Sequence, residues 1–319
     1  MKKRTTNLIF IVCILLFSGL AVSCERIVPD PAPVDENGIV DLSSWNSERD
    51  NPIYLQKGLN FYWEKLLIEP KSVSPIGLRI ESNCVFDLEN PSTTSTCDGY
   101  QLTPETQGIF DGSISGSFVE TPHIWGSVEG RELGYGLYRI RIKSNGEKIA
   151  FYNNNWVGNS SFRFWIKEGN RLVLLYSIGN PTRHKETSVE IAMGLYAVHD
   201  FQPGISEIYI EVANYNYKYG YLTNQIWLSS PNRAIGSLRQ YSTAEAVIFG
   251  LILMSAVIHI FQYGFRKKLK SALWFGIFCF ILAIRVALVA RFPQILFPDN
   301  NWYNTWRTCK KSFLRNQLA

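Results

Sequence analysis

The chain has 319 residues and a formal net charge of +5, which allows two ordinary domains or one domain with membrane segments. The charge is unevenly divided, because residues 25–243 hold 19 Lys and Arg against 25 Asp and Glu, whereas the rest holds 13 against 2. The acidic central part would repel phosphates, which argues against a nucleic-acid partner. Aromatic residues make up 14% of the chain, a content that favours a β-sandwich over a helical bundle.

Residues 1–24 have the pattern of an export signal, with a cationic start, the apolar run Leu8–Phe17 and small residues after it. The segment ends in the sequence LAVSC, which is similar to a bacterial lipoprotein cleavage box and makes Cys24 the lipidation candidate. Ordinary signal-peptidase cleavage and an uncleaved anchor are the alternatives. Residues 25–37 hold three prolines and four acidic residues, so we predict a tether that does not pack.

Residues 38–243 are predicted to form an extracytoplasmic all-β domain. Three runs, Leu137–Ile142, Phe162–Ile166 and Ile208–Val212, place an apolar residue at every second position. In a strand this spacing gives one apolar face, and the intervening residues, Arg163 and Glu211 among them, take the other face. Many short strands separated by Gly, Asn and Pro turns predict a sandwich or jelly roll.

Cys84 and Cys97 are the two cysteines inside this domain. In an exported protein we predict a disulfide between them that closes a Ser/Thr-rich loop, with two free thiols as the alternative. Neither lies beside another cysteine pair, and the histidines are scattered, so no metal site or other cofactor is predicted.

Residues 244–265 and 271–290 are apolar and close to the roughly 20 residues that a membrane-spanning helix needs. The loop between them, residues 266–270, reads RKKLK, and the positive-inside rule places it in the cytoplasm. The sandwich is then outside. Residues 291–319 form an irregular tail on the same side, and their five Lys and Arg against one Asp go against the rule.

No catalytic constellation is found, and we predict that the protein is not an enzyme. The segment Gly112–Gly116 has Ile114 where a nucleophile elbow has serine. The segment Gly134–Gly136 lacks the third glycine of a dinucleotide-binding loop and opens a strand rather than a helix.

Residues of the kind that bind sugars are densest in the loop Asn214–Tyr221. Flat aromatic faces pack against sugar C–H groups, and amides bind the hydroxyls. The alternative is a strand pair whose tyrosines pack on the sandwich. A second loop, with Trp156 among asparagines, is also a candidate. The candidate ligand-binding residues are Asn214, Tyr215, Tyr217, Tyr219, Trp227 and Trp156.

The order of several short motifs resembles the bacterial seven-transmembrane receptors with diverse intracellular signalling modules. The resemblance spans roughly residues 38–298. It implies a galactose-binding-like jelly roll outside the cell, seven helices, and a cytoplasmic output such as a cyclase, kinase or phosphatase. The motifs are Asp41–Trp45, Leu59–Trp63, Gly134–Ile140, Phe162–Gly169, Glu207–Tyr219 and Trp274–Cys279 with Arg285.

We therefore expect the sensory half of a receptor in the bacterial inner membrane, binding a small ligand or carbohydrate outside the cytoplasm. Only two of the seven helices and no output module are recognisable, for which a truncated or frame-shifted gene is the expected explanation. A signalling effector would then be separate or missing. The alternative is a structural or adhesive surface lipoprotein whose sandwich binds another protein.

Overall fold

The computed structural model of the protein describes residues 29–71, 84–89, 96–97, 99–125, 133–153, 161–188, 195–215, 221–222 and 226–289. Within them the chain forms mainly short strands, followed by two long helices. The strands are β1 (Asp30–Pro31), β2 (Ile39–Asp41), β3 (Ile53–Leu55), β4 (Leu59–Trp63), β5 (Ile68–Pro70), β6 (Val85–Asp87), β7 (Tyr100–Leu102), β8 (Ser117–Val119), β9 (His123–Ile124), β10 (Gly134–Asn145), β11 (Lys148–Tyr152), β12 (Ser161–Glu168), β13 (Arg171–Ile178), β14 (Tyr196–Asp200), β15 (Pro203–Asn214), β16 (Tyr221–Leu222) and β17 (Ile226–Ser229). The helices are α1 (Thr106–Phe110), α2 (Pro231–Phe265) and α3 (Lys270–Val289).

Two larger sheets pack as a sandwich. One has the strand order β1-β3-β17-β11-β14, and the other has the order β6-β13-β12-β15-β10-β4-β8, with β2 also paired to β10. The core between them takes the apolar faces of the three alternating runs, for example Ile140, Phe164 and Ile210, and meets Phe151 and Leu228 from the five-stranded sheet. The predicted apolar faces are therefore confirmed.

A third layer covers the outer face of the eight-stranded sheet. It consists of residues 64–71 and 99–114, which contain β5, β7 and α1, and we call it the covering segment. Its apolar side chains, such as Leu67 and Ile109, pack against Trp165 and Tyr209, which point away from the inter-sheet core. Both faces of this sheet are thus buried around β12, which explains why six successive residues of that strand are buried.

A disulfide joins Cys84 and Cys97 beside the covering segment, with their Cα atoms 4.7 Å apart. Both residues are buried in the same apolar cluster as Leu67 and Ile109. The bridge closes a loop of 13 residues, and such a closure stabilises a fold by roughly 3 kcal/mol in the chain-entropy treatment.

The chain joins the sandwich earlier than the predicted tether allows. Asp30 and Pro31 form β1, which pairs in parallel with β3 at the edge of the five-stranded sheet. Ala32 is buried in the core and Val34 packs against it. The reason is that an edge strand tolerates proline, since only one side of its backbone needs to donate hydrogen bonds.

The two long helices form an antiparallel hairpin that meets the length and composition expected of membrane-crossing segments. Small residues line their contact: a Cβ on Gly276 would lie 2.8 Å from the Ile260 side chain and 3.2 Å from the Ala256 carbonyl oxygen. Large apolar side chains face outward, with Phe261 63% and Trp274 68% exposed. A soluble monomer rarely exposes so continuous an apolar surface, so the hairpin is suited to lipid.

Helix α2 begins at Pro231, thirteen residues before the predicted membrane segment. Proline suits the first helical position because its missing N–H would have no partner there. Ala234 is fully buried against Ala150 and Tyr152 on the outer face of the five-stranded sheet, and the guanidinium of Arg233 donates to the Asp50 carbonyl. The helix is therefore docked on the sandwich before it becomes apolar.

Candidate ligand-binding site

The strand register places the ends of several neighbouring strands side by side along one edge of the eight-stranded sheet, the edge that runs across the strand ends. Gly134, the first residue of β10, pairs with Asn214, the last of β15. Ser161, the first residue of β12, lies opposite Ala213, and β13 ends beside the start of β12. We call this edge the loop end. The two candidate loops, which follow β15 and precede β12, are therefore attached at neighbouring positions.

Asn214 and Tyr215 anchor the first of these loops. Asn214 is fully buried, and Tyr215 is half-buried. The Tyr215 hydroxyl donates to the carbonyl oxygen of Thr182 at 3.0 Å, which ties the base of the loop to the segment that follows β13. Tyr217, Tyr219 and Trp156 lie outside the described residues.

Trp227 lies elsewhere, on the outer face of the five-stranded sheet. Its ring meets Tyr152 edge to face, with centroids 5.8 Å apart, and packs in the cluster that contains Ala234 of α2. Asn214 and Trp227 thus belong to different sheets, and Trp227 supports the docking of the helix.

An aromatic cluster that was not singled out from the sequence lies at the loop end. Its members are Phe61, Trp63, His123, Trp125 and Tyr138. Trp63 and Trp125 meet edge to face at 5.0 Å, and Phe61 meets His123 in the same way at 4.7 Å. Glycines make room for these rings, because a Cβ on Gly134 would lie 3.1 Å from the Trp63 ring and a Cβ on Gly136 would overlap Phe61. Since Gly134 pairs with Asn214, the cluster adjoins the base of the candidate loop.

His123 is the polar centre of the aromatic cluster. It is only 2% exposed, and its Nδ1 lies 2.9 Å from the Tyr138 hydroxyl, to which the Trp125 indole N–H also donates at 2.9 Å. Its Nε2 is buried without a hydrogen-bond partner among the described residues. Burial lowers the pKa of His123 to about 4, so the ring is neutral near pH 7.

The candidate loop also returns to His123. Tyr221 pairs with Ile124 and Leu222 pairs with His123 in the small sheet of β9 and β16. The loop that leaves β15 at Asn214 is therefore held at its base by Tyr215 and at its end by the strand that carries His123.

A buried charge network lies further along the outer face of the same sheet. Arg163 and Glu211 form a fully buried ion pair at 2.9 Å. One Glu211 carboxylate oxygen also accepts from the Trp165 indole N–H at 2.8 Å, and the other accepts from the backbone N–H groups of Leu67 and Ile68 at 2.6 and 3.1 Å. The carboxylate thereby fastens the covering segment to the sheet.

The same network extends towards Thr182. Arg163 donates to the side-chain oxygen of Asn180 at 3.3 Å and to the Pro181 carbonyl, and the Tyr100 hydroxyl donates to Asn180 at 3.0 Å. Burial raises the pKa of Tyr100, so it stays a neutral donor. The segment that receives the Tyr215 hydroxyl is thus itself fixed by buried polar groups, which gives the loop end a rigid support.

Within the described ranges, no three His, Cys, Asp or Glu residues are placed to hold a metal ion. The groups described above at the loop end are aromatic rings, amides, hydroxyls and one neutral imidazole, and the cation next to Thr182, Arg183, is paired with Glu69 and Glu105. Such a set binds uncharged polar ligands by ring contact and hydrogen bonding.

No family model matches the chain, and no curated protein matches it. Among solved structures, a GH2 β-galacturonidase from Eisenbergiella tayi matches 59% of this chain at 11% identity and a TM-score of 0.31. A family 35 carbohydrate-binding module from Clostridium thermocellum matches 57% of the chain at 7% identity and a TM-score of 0.22 and is covered over 99% of its own length. TmCBM61 in complex with β-1,4-galactotriose gives 9% identity and a TM-score of 0.20 over 54% of this chain and 84% of its own.

The chain spans 26% of the length of the β-galacturonidase that it matches. All of these TM-scores are too low to support an inference about the ligand or activity of this protein.

Proposed function

We propose that the sandwich binds a small ligand, with carbohydrate as the expected class, at the loop end of the eight-stranded sheet. The observation that carries this proposal is the buried Nε2 of His123, which has no hydrogen-bond partner among the described residues and lies within an aromatic cluster. A buried polar atom without a partner costs free energy. Because this nitrogen is closed off from solvent, a ligand hydroxyl would reach it only when the surrounding side chains move, and the new hydrogen bond would then recover that cost.

The surroundings fit a sugar better than an ion. The half-buried ring of Trp63 offers contact for C–H groups, while Phe61, Trp125 and Tyr138 are buried behind it in the core. The adjoining loop supplies Asn214 and Tyr215 at its base. The neutral state of His123 disfavours a charged ligand that would need a cationic partner.

The wider proposal is the sensory half of a bacterial membrane receptor with an exported galactose-binding-like jelly roll. It is supported by the resemblance in the order of motifs, by the cationic loop between α2 and α3, and by the docking of α2 on the sandwich. Ligand occupancy would act by shifting an equilibrium between arrangements of the helices. Cys24 is the proposed lipid attachment site in the same scheme.

A glycan array probed with the full-length protein in detergent micelles tests the ligand class. We expect binding to a defined group of glycans, weakened about 5- to 30-fold by Tyr217→Ala and by Tyr219→Ala, which corresponds to about 1–2 kcal/mol of lost ring contact. Phe118→Ala is the matched control, because this aromatic ring is 67% exposed on β8, away from the loop end.

The outcomes separate the alternatives. If no glycan binds, or if the control weakens binding as much as the two loop variants, the sugar site is contradicted. If both loop variants instead lose many degrees of melting temperature, the tyrosines are core residues, since truncating a buried aromatic costs roughly 3–5 kcal/mol. A sandwich that binds no glycan on the array would favour the alternative, an adhesive surface lipoprotein whose sandwich binds another protein.

Topology is tested with reporter fusions. An enzyme that is active only outside the cytoplasm should work when fused after Ser230 and should fail when fused at Lys268. Activity at Lys268 would overturn the placement of the cationic loop in the cytoplasm.

A further inference from the structure

A cleft of about 350 Å³ lies where α2 leaves the sandwich. It is bounded by β14 on one side and by two turns of the helix on the other. Its lining residues are Tyr196, Ile235, Leu238, Arg239, Ser242 and Thr243. The apolar side chains of the helix, Ile235 and Leu238, lie nearer the sandwich, and the polar ones follow them along the helix.

The position of the cleft relative to the membrane follows from the length of α2. Counting about 20 residues of helix back from the cationic loop at Arg266 places the edge of the hydrocarbon layer near residue 246. Arg239 is then seven residues above that edge and Thr243 three, which at 1.5 Å per residue corresponds to about 5–10 Å. The polar layer of a bilayer is roughly 5–7 Å thick on each side, so Thr243 lies at headgroup level, and the backbone of Arg239 lies about 3–5 Å above that layer, a gap that the long arginine side chain can span.

The chemistry of the cleft matches a phosphate-bearing amphiphile. Arg239 is exposed and has no ion pair or hydrogen bond within the described part of the chain, in contrast to Arg163 and Arg233, which are both engaged. Guanidinium groups bind phosphate oxygens with two parallel N–H donors. No lining residue is acidic, so the positive charge is not neutralised in the cleft.

Hydroxyl groups and apolar side chains complete the lining. Ser242 and Thr243 follow Arg239 by about one turn, and the Tyr196 hydroxyl has no hydrogen-bond partner among the described residues. Burial raises the pKa of Tyr196, so it remains a donor for an anionic oxygen. Ile235 and Leu238 are half-buried and close the cleft on the sandwich side of Arg239. The glycerol and acyl chains of a lipid with its phosphate on Arg239 would run the other way, past Ser242 and Thr243.

We infer that this cleft binds the headgroup of an anionic phospholipid from the outer leaflet, with its phosphate on Arg239. The inference rests on the membrane placement in the proposed function. A bound headgroup would contact both β14 and α2 and would hold the angle at which the helix leaves the sandwich.

Native mass spectrometry of the full-length protein in detergent, titrated with short-chain phosphatidylglycerol, phosphatidylcholine or inorganic phosphate, tests this inference. We expect one phosphatidylglycerol to be retained, at least fivefold more tightly than phosphatidylcholine. Arg239→Gln should weaken it about tenfold and Tyr196→Phe about threefold. Arg171→Gln is the matched control, since this exposed arginine lies on β13, and it should leave binding unchanged.

Equal retention of both lipids with no effect of Arg239→Gln would overturn the inference. Inorganic phosphate bound as tightly as the lipid would overturn the lipid assignment in favour of a simple anion site. Because the titration is done in detergent and without a glycan, its result does not depend on the sugar site or on the reporter fusions, so failure of either proposal can be recognised separately.

Discussion

Glu211 holds the covering segment on the sheet, and its replacement offers a direct measure of that attachment. In Glu211→Ala, the buried guanidinium of Arg163 loses its only carboxylate partner within the described residues, and the indole N–H of Trp165 and two backbone N–H groups lose their acceptor. Breaking a buried ion pair from one side costs about 3–5 kcal/mol, and the stranded N–H groups add to this. We expect a loss of about 5 kcal/mol in the free energy of unfolding.

Urea denaturation of the full-length protein in detergent micelles, followed by tryptophan fluorescence, measures this loss. With a slope of about 2–3 kcal/mol per molar urea, the midpoint should fall by about 2 M. Glu120→Ala is the control, because its ion pair with Lys57 is about 60% exposed on both sides and such pairs contribute at most about 1 kcal/mol.

The double variant Arg163→Met with Glu211→Ala sharpens the test. Removing the guanidinium as well eliminates the unpaired buried charge, so the double variant should be more stable than the sum of the two single losses predicts, by about 2 kcal/mol or more. A Glu211→Ala protein that unfolds within 1 kcal/mol of the wild type, or losses that simply add, would refute the role assigned to this carboxylate.

Two further predictions concern the aromatic cluster and the helix hairpin. The pKa of His123 is about 4 in the folded state and about 6.5 in the unfolded chain, so the unfolded chain binds the proton first as the pH falls. The free energy of unfolding should therefore be complete above pH 6.5 and fall by about 3 kcal/mol as the pH drops towards 4. Urea midpoints measured across this range should show the loss, and His123→Asn should flatten the pH dependence. Ser255→Cys should form a disulfide with Cys279 on oxidation, since the native Oγ and Sγ atoms lie 3.9 Å apart. Adding Gly276→Leu should separate the helices and slow this crosslink several-fold. Peptide mapping over time measures the rate, and an unchanged rate would contradict the close packing.

The alternating runs predicted the core between the sheets because a strand repeats every two residues. Ile140, Phe164 and Ile210 all face that core. The two long helices could also be predicted from the sequence, since a run of about 20 apolar residues is a local property. The start of α2 at Pro231 was missed because its first thirteen residues are polar enough to resemble a surface segment.

The covering segment could not be predicted from periodicity. Its strands β5 and β7 have three residues each, too few to show an alternation. As a result, nothing in the local pattern indicates that Arg163 and Glu211, 48 residues apart, meet in a fully buried pair.

The candidate site depended on register for the same reason. Tyr215 and its neighbours stood out by composition, but His123 and Trp63 are remote from them in sequence. They come together because Gly134 lies opposite Asn214 and because β9 pairs with β16. A pairing between distant strands is fixed by the whole fold, and a single sequence does not display it.

The chain enters and leaves the sandwich through strands that flank a common neighbour. β1, at residues 30–31, and β17, which leads into α2, both pair with β3. Adjacent strands are about 4.8 Å apart, so the two points of attachment are about 10 Å apart. A module with its ends this close can be exchanged as a cassette, because another host needs only a short gap to accept it. The sandwich could therefore be transplanted onto a different helix at Ser230, or replaced there by another domain, without rebuilding the hairpin.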